Sequence, residues 1–143
     1  MENQPLVLSQ MRSHSTQTTY TIISMLVVTA MGFLFKFYAG FAQEWFNNYI
    51  AAVFYEIFWC LLVFLFWRSR KAIARIPLWV FIMTCGIEFL QLWHPPLLAK
   101  SRSTFLGQTL LGSTFSWWDF PHYALGCFLG WLWLQQLEAR GER

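Results

Sequence analysis

Two residues with the chemistry of acids or hydrogen-bond partners, Glu88 and Gln91, stand at i, i+3 and so share one face of any helix that carries them. Asp119, His122 and Tyr123 share a face in the same way, and that face continues through Gly126 and Gly130. Arg102 lies between the two groups, and its planar donor fork suits a carboxylate or phosphate. Two more charges, Lys36 and Glu56, sit within or beside apolar runs, where an ionised side chain costs several kcal/mol and is a functional hypothesis by default. Glu88 or Asp119 with His122 could act as acid and base if both reached one substrate atom. The same residues could recognise a polar or anionic group without chemistry.

Each of these has a plainer reading. Asp119 opens a helix, where a carboxylate caps free N–H groups. Glu88 and Gln91 suit an interhelical hydrogen bond, and Glu56 a neutral carboxyl held structurally. The Gly126 to Gly130 spacing is a GxxxG, the pattern of closely packed membrane helices. His94 and His122 fall at helix ends, as interfacial hydrogen-bonders do. The reading includes no metal site and no cofactor. HExxH, GxSxG, Walker and dinucleotide signatures are absent from the sequence, so an enzyme is the less favoured reading.

The elements that must position these residues follow from composition. Of the 143 residues 57% are hydrophobic and 12% charged, too apolar for a water-soluble fold of this size. Fifteen Phe and nine Trp point to lipid as the solvent. The net charge of +3 is dispersed between apolar runs rather than gathered in a stripe, which excludes a nucleic-acid partner. Cys60, Cys85 and Cys127 lie in apolar runs without ligand spacing, so no disulfide is expected.

Residues 1–18 read as a polar, mobile tail, residues 19–137 as a four-helix transmembrane domain and residues 138–143 as a charged tail. The first run extends from Tyr20 to Phe41. Val28-Thr29-Ala30 within it imitates a signal-peptidase site, but the apolar stretch continues far enough to span. The second run extends from Trp45 to Trp67. The third extends from Ile76 to His94, with Pro77 in its first turn and Pro95-Pro96 as its stop, and the fourth from Trp118 to Leu137. Between the third and fourth, Thr104 to Phe115 is semi-apolar and too short to span, hence an external or re-entrant segment.

An N-terminus in the cytoplasm puts Arg12, Arg68, Arg70, Lys71, Arg75, Arg140 and Arg143 on that side and Lys36, Lys100 and Arg102 on the other. The positive-inside rule therefore favours both termini inside. Trp45, Trp93, Trp117 and Trp118 then form an outer belt, with Trp67, Trp79 and Trp133 near the inner boundary. By the helical rise, Glu88 lies about 9 Å below the outer end of its helix. Arg102 is expected to fold back over that mouth and pair with Glu88 or Asp119, because a buried carboxylate without a partner is costly.

Glu88-x-x-Gln91, followed by Pro96, Arg102, Gly112, Phe115, Asp119, Tyr123, Gly126 and Gly130, resembles the signature of a bacterial membrane family, domain of unknown function 2809. That family is similar to the VanZ-like proteins, in which a Glu and Gln on one helix, an Arg in the next loop and an Asp opening the last helix recur in this order. Lys36, Tyr38 and Gly40 match more loosely, with Lys where Arg is expected. The resemblance covers roughly residues 30 to 135. It implies a multi-pass protein of the bacterial cytoplasmic membrane, and through the low-level teicoplanin resistance tied to one VanZ protein it implies an envelope role. No catalytic residue comes with it. The expected partners are membrane lipids and either a membrane protein or a second copy of the chain. An accessory subunit of a larger complex and a membrane hydrolase or transferase are the alternatives to outer-face recognition.

Overall fold

The protein is described by a computed structural model covering residues 4–93, 95–112 and 114–141, with side chains from Ser13 onward; His94 and Arg143 lie outside the described residues. Every regular element among them is helical. They are α1 (Gln4–Lys36), α2 (Gln43–Phe66), α3 (Arg70–Leu90), α4 (Pro96–Arg102), α5 (Phe105–Leu111) and α6 (Asp119–Gly141). Within α2, residues Phe46–Ile50 form a π-helical turn. Among the described residues, three helices are long and apolar enough to cross a membrane: Ser13–Lys36 of α1, α2 and α3. The last helix, α6, has 23 residues but carries polar groups at both ends, Asp119 and His122 at one and Gln135, Gln136, Glu138 and Arg140 at the other.

Large apolar side chains are left uncovered along these helices, with Leu26 67%, Leu34 66% and Met83 61% exposed. Apolar surface on this scale marks contact with something other than water. The interior is thin by comparison. Ile57, Cys60, Leu61 and Phe64 of α2 meet Ile73, Ile76 and Val80 of α3 and Cys127, Leu134 and Leu137 of α6, with Val28 closing the side from α1. Helix α2 is thus the central element, packed on α1, α3 and α6. Lys36, Asn47, Gln91 and Asp119 stand at one end of the bundle, called the upper end below, and Ser69 and Gly141 at the lower.

Three boundaries differ from the sequence expectation. Residues 4–18 do not form a separate tail but continue α1, which runs for 33 residues and about 50 Å. Polar contacts to α6 and the α2–α3 turn explain the extension. Gln17 Nε2 donates to Glu138 Oε2 at 2.9 Å, Ser13 Oγ donates to the Gly141 carbonyl, and Arg68 donates to Thr18 Oγ1 at 2.6 Å. Those contacts also keep residues 138–141 helical. The third helix starts at Arg70 rather than Ile76, because Ser69 caps it by accepting from Ala72 N at 3.1 Å. Pro77 therefore lies inside α3 rather than in its first turn, where it removes one hydrogen bond from the helix interior.

The stretch between α3 and α6 holds two short helices. Pro96 occupies the first turn of α4, and Thr104 caps α5 by accepting from Gly107 N at 3.0 Å. Helix α5 stops at Gly112, whose φ of 66° is in the left-handed region open to glycine. A Cβ there would also come within 2.4 Å of Gln91 Nε2, so the glycine is required twice over.

Candidate functional site

The upper end is organised around Glu88, two residues before the end of α3 and 0% exposed. Its Oε1 accepts from the Ser116 backbone N–H at 2.8 Å, and its Oε2 from Gln91 Nε2 at 2.9 Å and Tyr123 Oη at 3.0 Å. The Asp119 carboxyl stands beside Glu88. Gln91 and Tyr123 reach Glu88 because they follow Glu88 and Asp119 by about one helical turn on the same faces. Ser116 reaches it because the chain turns at residues 116–118 to start α6, with Asp119 N bonded to Ser116 O at 3.2 Å.

Gln91 ties this cluster to α5 by a second bond from Nε2, to the Leu111 carbonyl at 3.0 Å. Tyr55 Oη of α2 donates to the neighbouring Leu110 carbonyl at 3.0 Å. Helix α5 is thereby pinned across the upper end of the bundle.

Arg102 does fold back over the mouth, but it does not pair with either carboxylate. It is 9% exposed and donates to the carbonyls of Leu90 at 2.9 Å and Trp93 at 3.4 Å. The Leu90 carbonyl closes α3 and also accepts from Trp93 N at 3.1 Å, and the Trp93 carbonyl lies three residues further on, so the guanidinium adds charged bonds at the negative end of the helix dipole. Glu88 is already supplied by the neutral donors Gln91, Ser116 and Tyr123. Among the described residues no cation is paired with it.

His122 also leaves the cluster. Its Nδ1 lies 2.7 Å from the Trp118 carbonyl, its ring stacks on Tyr49 at 4.6 Å, and Trp45 meets it edge-on. The partnership of His122 with Glu88 or Asp119 as acid and base has no geometric support. The spacing argument missed this because a face of α6 is wide enough to present residues 122 and 123 to different neighbours.

Glu56 is 0% exposed in the middle of α2. Its Oε2 accepts from Cys127 Sγ at 3.1 Å, and its Oε1 is buried without a hydrogen-bond partner among the described residues. Gly126 sits directly against it: a Cβ at 126 would be 2.6 Å from Glu56 Cβ and 2.8 Å from the Val53 carbonyl. Gly130 opposes Cys60 in the same way, at 3.0 Å from its sulfur. The two glycines therefore let α6 close onto α2.

The thiols are free. Cys127 nevertheless has a polar duty, so replacing it is not silent. Cys127→Ala is expected to lower stability by about 1–2 kcal/mol by orphaning a buried carboxyl oxygen, while Cys127→Ser keeps the donor and most of the stability. Melting of the purified variants in detergent checks this.

Beside the Glu88 cluster lies a cavity of about 500 Å³ between α1, α2, α3 and α5. Its wall changes character from end to end. Near the top it is formed by Lys36, Asn47, Asn48, Gln91, Asp119 and Tyr123, and lower down by Val28, Phe54, Phe58 and Trp59. Phe105, Gln108 and Thr109 of α5 close one side. Lys36 is the basic residue of this wall, exposed at the C-terminus of α1. Asn47, Asn48 and Ser116 were not singled out from the sequence. The adjacent asparagines inside an apolar run were a usable signal for the first two, whereas the backbone N–H of Ser116 left none.

A family model described as "Protein of unknown function (DUF2809)" matches residues 41–127. The match takes in Glu56, Glu88, Gln91, Arg102, Asp119, Tyr123 and Gly126, and leaves Lys36 and Gly130 outside. No curated protein and no solved structure matches the chain.

Proposed function

Since the chain belongs to DUF2809, a family of unknown function, its membership brings no activity, and we propose from the site that it is an integral membrane protein that holds an amphiphile. The observation carrying this reading is the cavity whose wall passes from Lys36, Asn47 and Asp119 to Val28, Phe58 and Trp59. Ligand sites are concave and mostly apolar with a few convergent polar groups. One polar end and one apolar end select a molecule built in the same way. The polar or anionic group considered from the sequence loses its donor, because Arg102 is committed to the end of α3.

In this reading α6 is a fourth span beside α1, α2 and α3, and α4 and α5 lie at the outer surface. Both termini are cytoplasmic, supported by the basic residues gathered at Arg68, Arg70, Lys71 and Arg75. The membrane is the bacterial inner membrane, by resemblance to the VanZ-like proteins, and the role belongs to the cell envelope. A reporter fused after Arg68 and one fused at Arg143 are both expected to read cytoplasm; a periplasmic signal from either contradicts the topology.

Gently extracted protein analysed by native mass spectrometry is expected to carry one lipid-like adduct per chain. Ala52 lines the cavity on α2, and Ala52→Phe should fill it and abolish the adduct while the protein stays folded. An adduct unchanged by that substitution would place the lipid elsewhere.

A further inference from the structure

The polar end of the cavity has more acceptors than the protein itself satisfies. Gln91 is 5% exposed, and its Oε1 has no partner among the described residues. The orientation of that amide is fixed, because Nε2 donates to Glu88 Oε2 and to the Leu111 carbonyl, two acceptors that the oxygen could not face. The buried Oδ1 of Asn47 is likewise without a partner among the described residues. Both residues line the same cavity as Asp119, and the three come from α2, α3 and α6. Two acidic side chains, Asp119 and Glu88, stand at this end, with Arg102 directed elsewhere and Lys36 exposed on α1.

Accepting the cavity as an amphiphile site, on which this step rests, we infer that its polar end binds a primary ammonium head group, with Gln91 Oε1, Asn47 Oδ1 and Asp119 as the acceptors. A primary ammonium offers three N–H donors and one positive charge, matching three acceptors of which one, Asp119, is acidic. A phosphate alone carries only acceptors and would face like groups. A quaternary ammonium has the charge but no N–H, and a glycerol head has donors but no charge. In a phospholipid with an ethanolamine head, the phosphate falls to Lys36.

Purified protein is equilibrated with an equimolar mixture of phospholipids having identical oleoyl chains and ethanolamine, choline or glycerol heads, and the retained adducts are read by native mass spectrometry. The ethanolamine lipid is expected to exceed each of the others by about tenfold, the worth of one additional charge-assisted hydrogen bond. Asn47→Ala should bring that ratio toward one while keeping total lipid. Equal retention by the wild type, or preference for choline or glycerol, overturns the inference while leaving the amphiphile site standing. Absence of any adduct overturns both. Displacement of the lipid by free ethanolamine at comparable concentration assigns the site to a soluble amine and overturns the lipid assignment.

Discussion

Gly126→Val is expected to be the most damaging substitution within the bundle, lowering stability by about 3 kcal/mol or more, at the upper end of what overpacking costs. The reason is the nature of the neighbours. A Cβ at 126 would lie 2.8 Å from a backbone carbonyl, that of Val53, and 2.6 Å from Glu56 Cβ, so neither obstacle is the flexible tip of a side chain. Relief requires α6 to move off α2, and close approach of small residues is a principal source of attraction between helices in lipid. Gly130→Val meets the sulfur of Cys60 at 3.0 Å and costs less, about 1 kcal/mol. Thermal melting monitored by size exclusion in detergent should rank them, with Gly126→Val running largely as aggregate.

The second large effect belongs to Glu88. Glu88→Ala strands the Ser116 N–H, the Tyr123 hydroxyl and one bond of the Gln91 amide in a site without bulk water, an expected loss of about 3–5 kcal/mol. Glu88→Gln keeps the shape and loses less. Double-mutant cycles distinguish the cluster from its alternatives. Glu88 with Tyr123, and Glu88 with Asp119, should couple by about 1 kcal/mol or more, whereas Glu88 with Arg102 should be additive. Coupling between Glu88 and Arg102 as strong as that with Tyr123 would restore the ion pair that the bonds of Arg102 to Leu90 and Trp93 argue against.

The helical class and the existence of the long elements were legible because about 20 consecutive apolar residues leave lipid-spanning helices as the economical solution. That Glu88 and Gln91 share one face, and Asp119 and Tyr123 another, was legible from helical spacing, since i, i+3 and i, i+4 residues share faces whatever they pack against; that the two faces meet was not. The partner of Arg102 was not. The sequence shows that a guanidinium and two carboxylates are within reach, but not that the end of α3 leaves the Leu90 carbonyl closer to hand. Helix continuation through residues 4–18 was hidden for a related reason, since polar residues such as Gln17 and Thr18 gain partners only when the lower ends of α1, α2 and α6 come together. The cavity was the least legible feature, because it depends on α5 lying across the bundle, held by Tyr55 and Gln91 to two carbonyls that no side-chain pattern encodes.

The most direct measurement is an experimental density map of the protein in a lipid nanodisc. An amphiphile site predicts elongated density in the cavity, its head against Asp119 and Gln91 beneath α5 and its tail running past Val28, Phe58 and Trp59. A cavity that is empty, filled only with water, or closed by inward rotation of Phe33 and Phe58 would contradict the account.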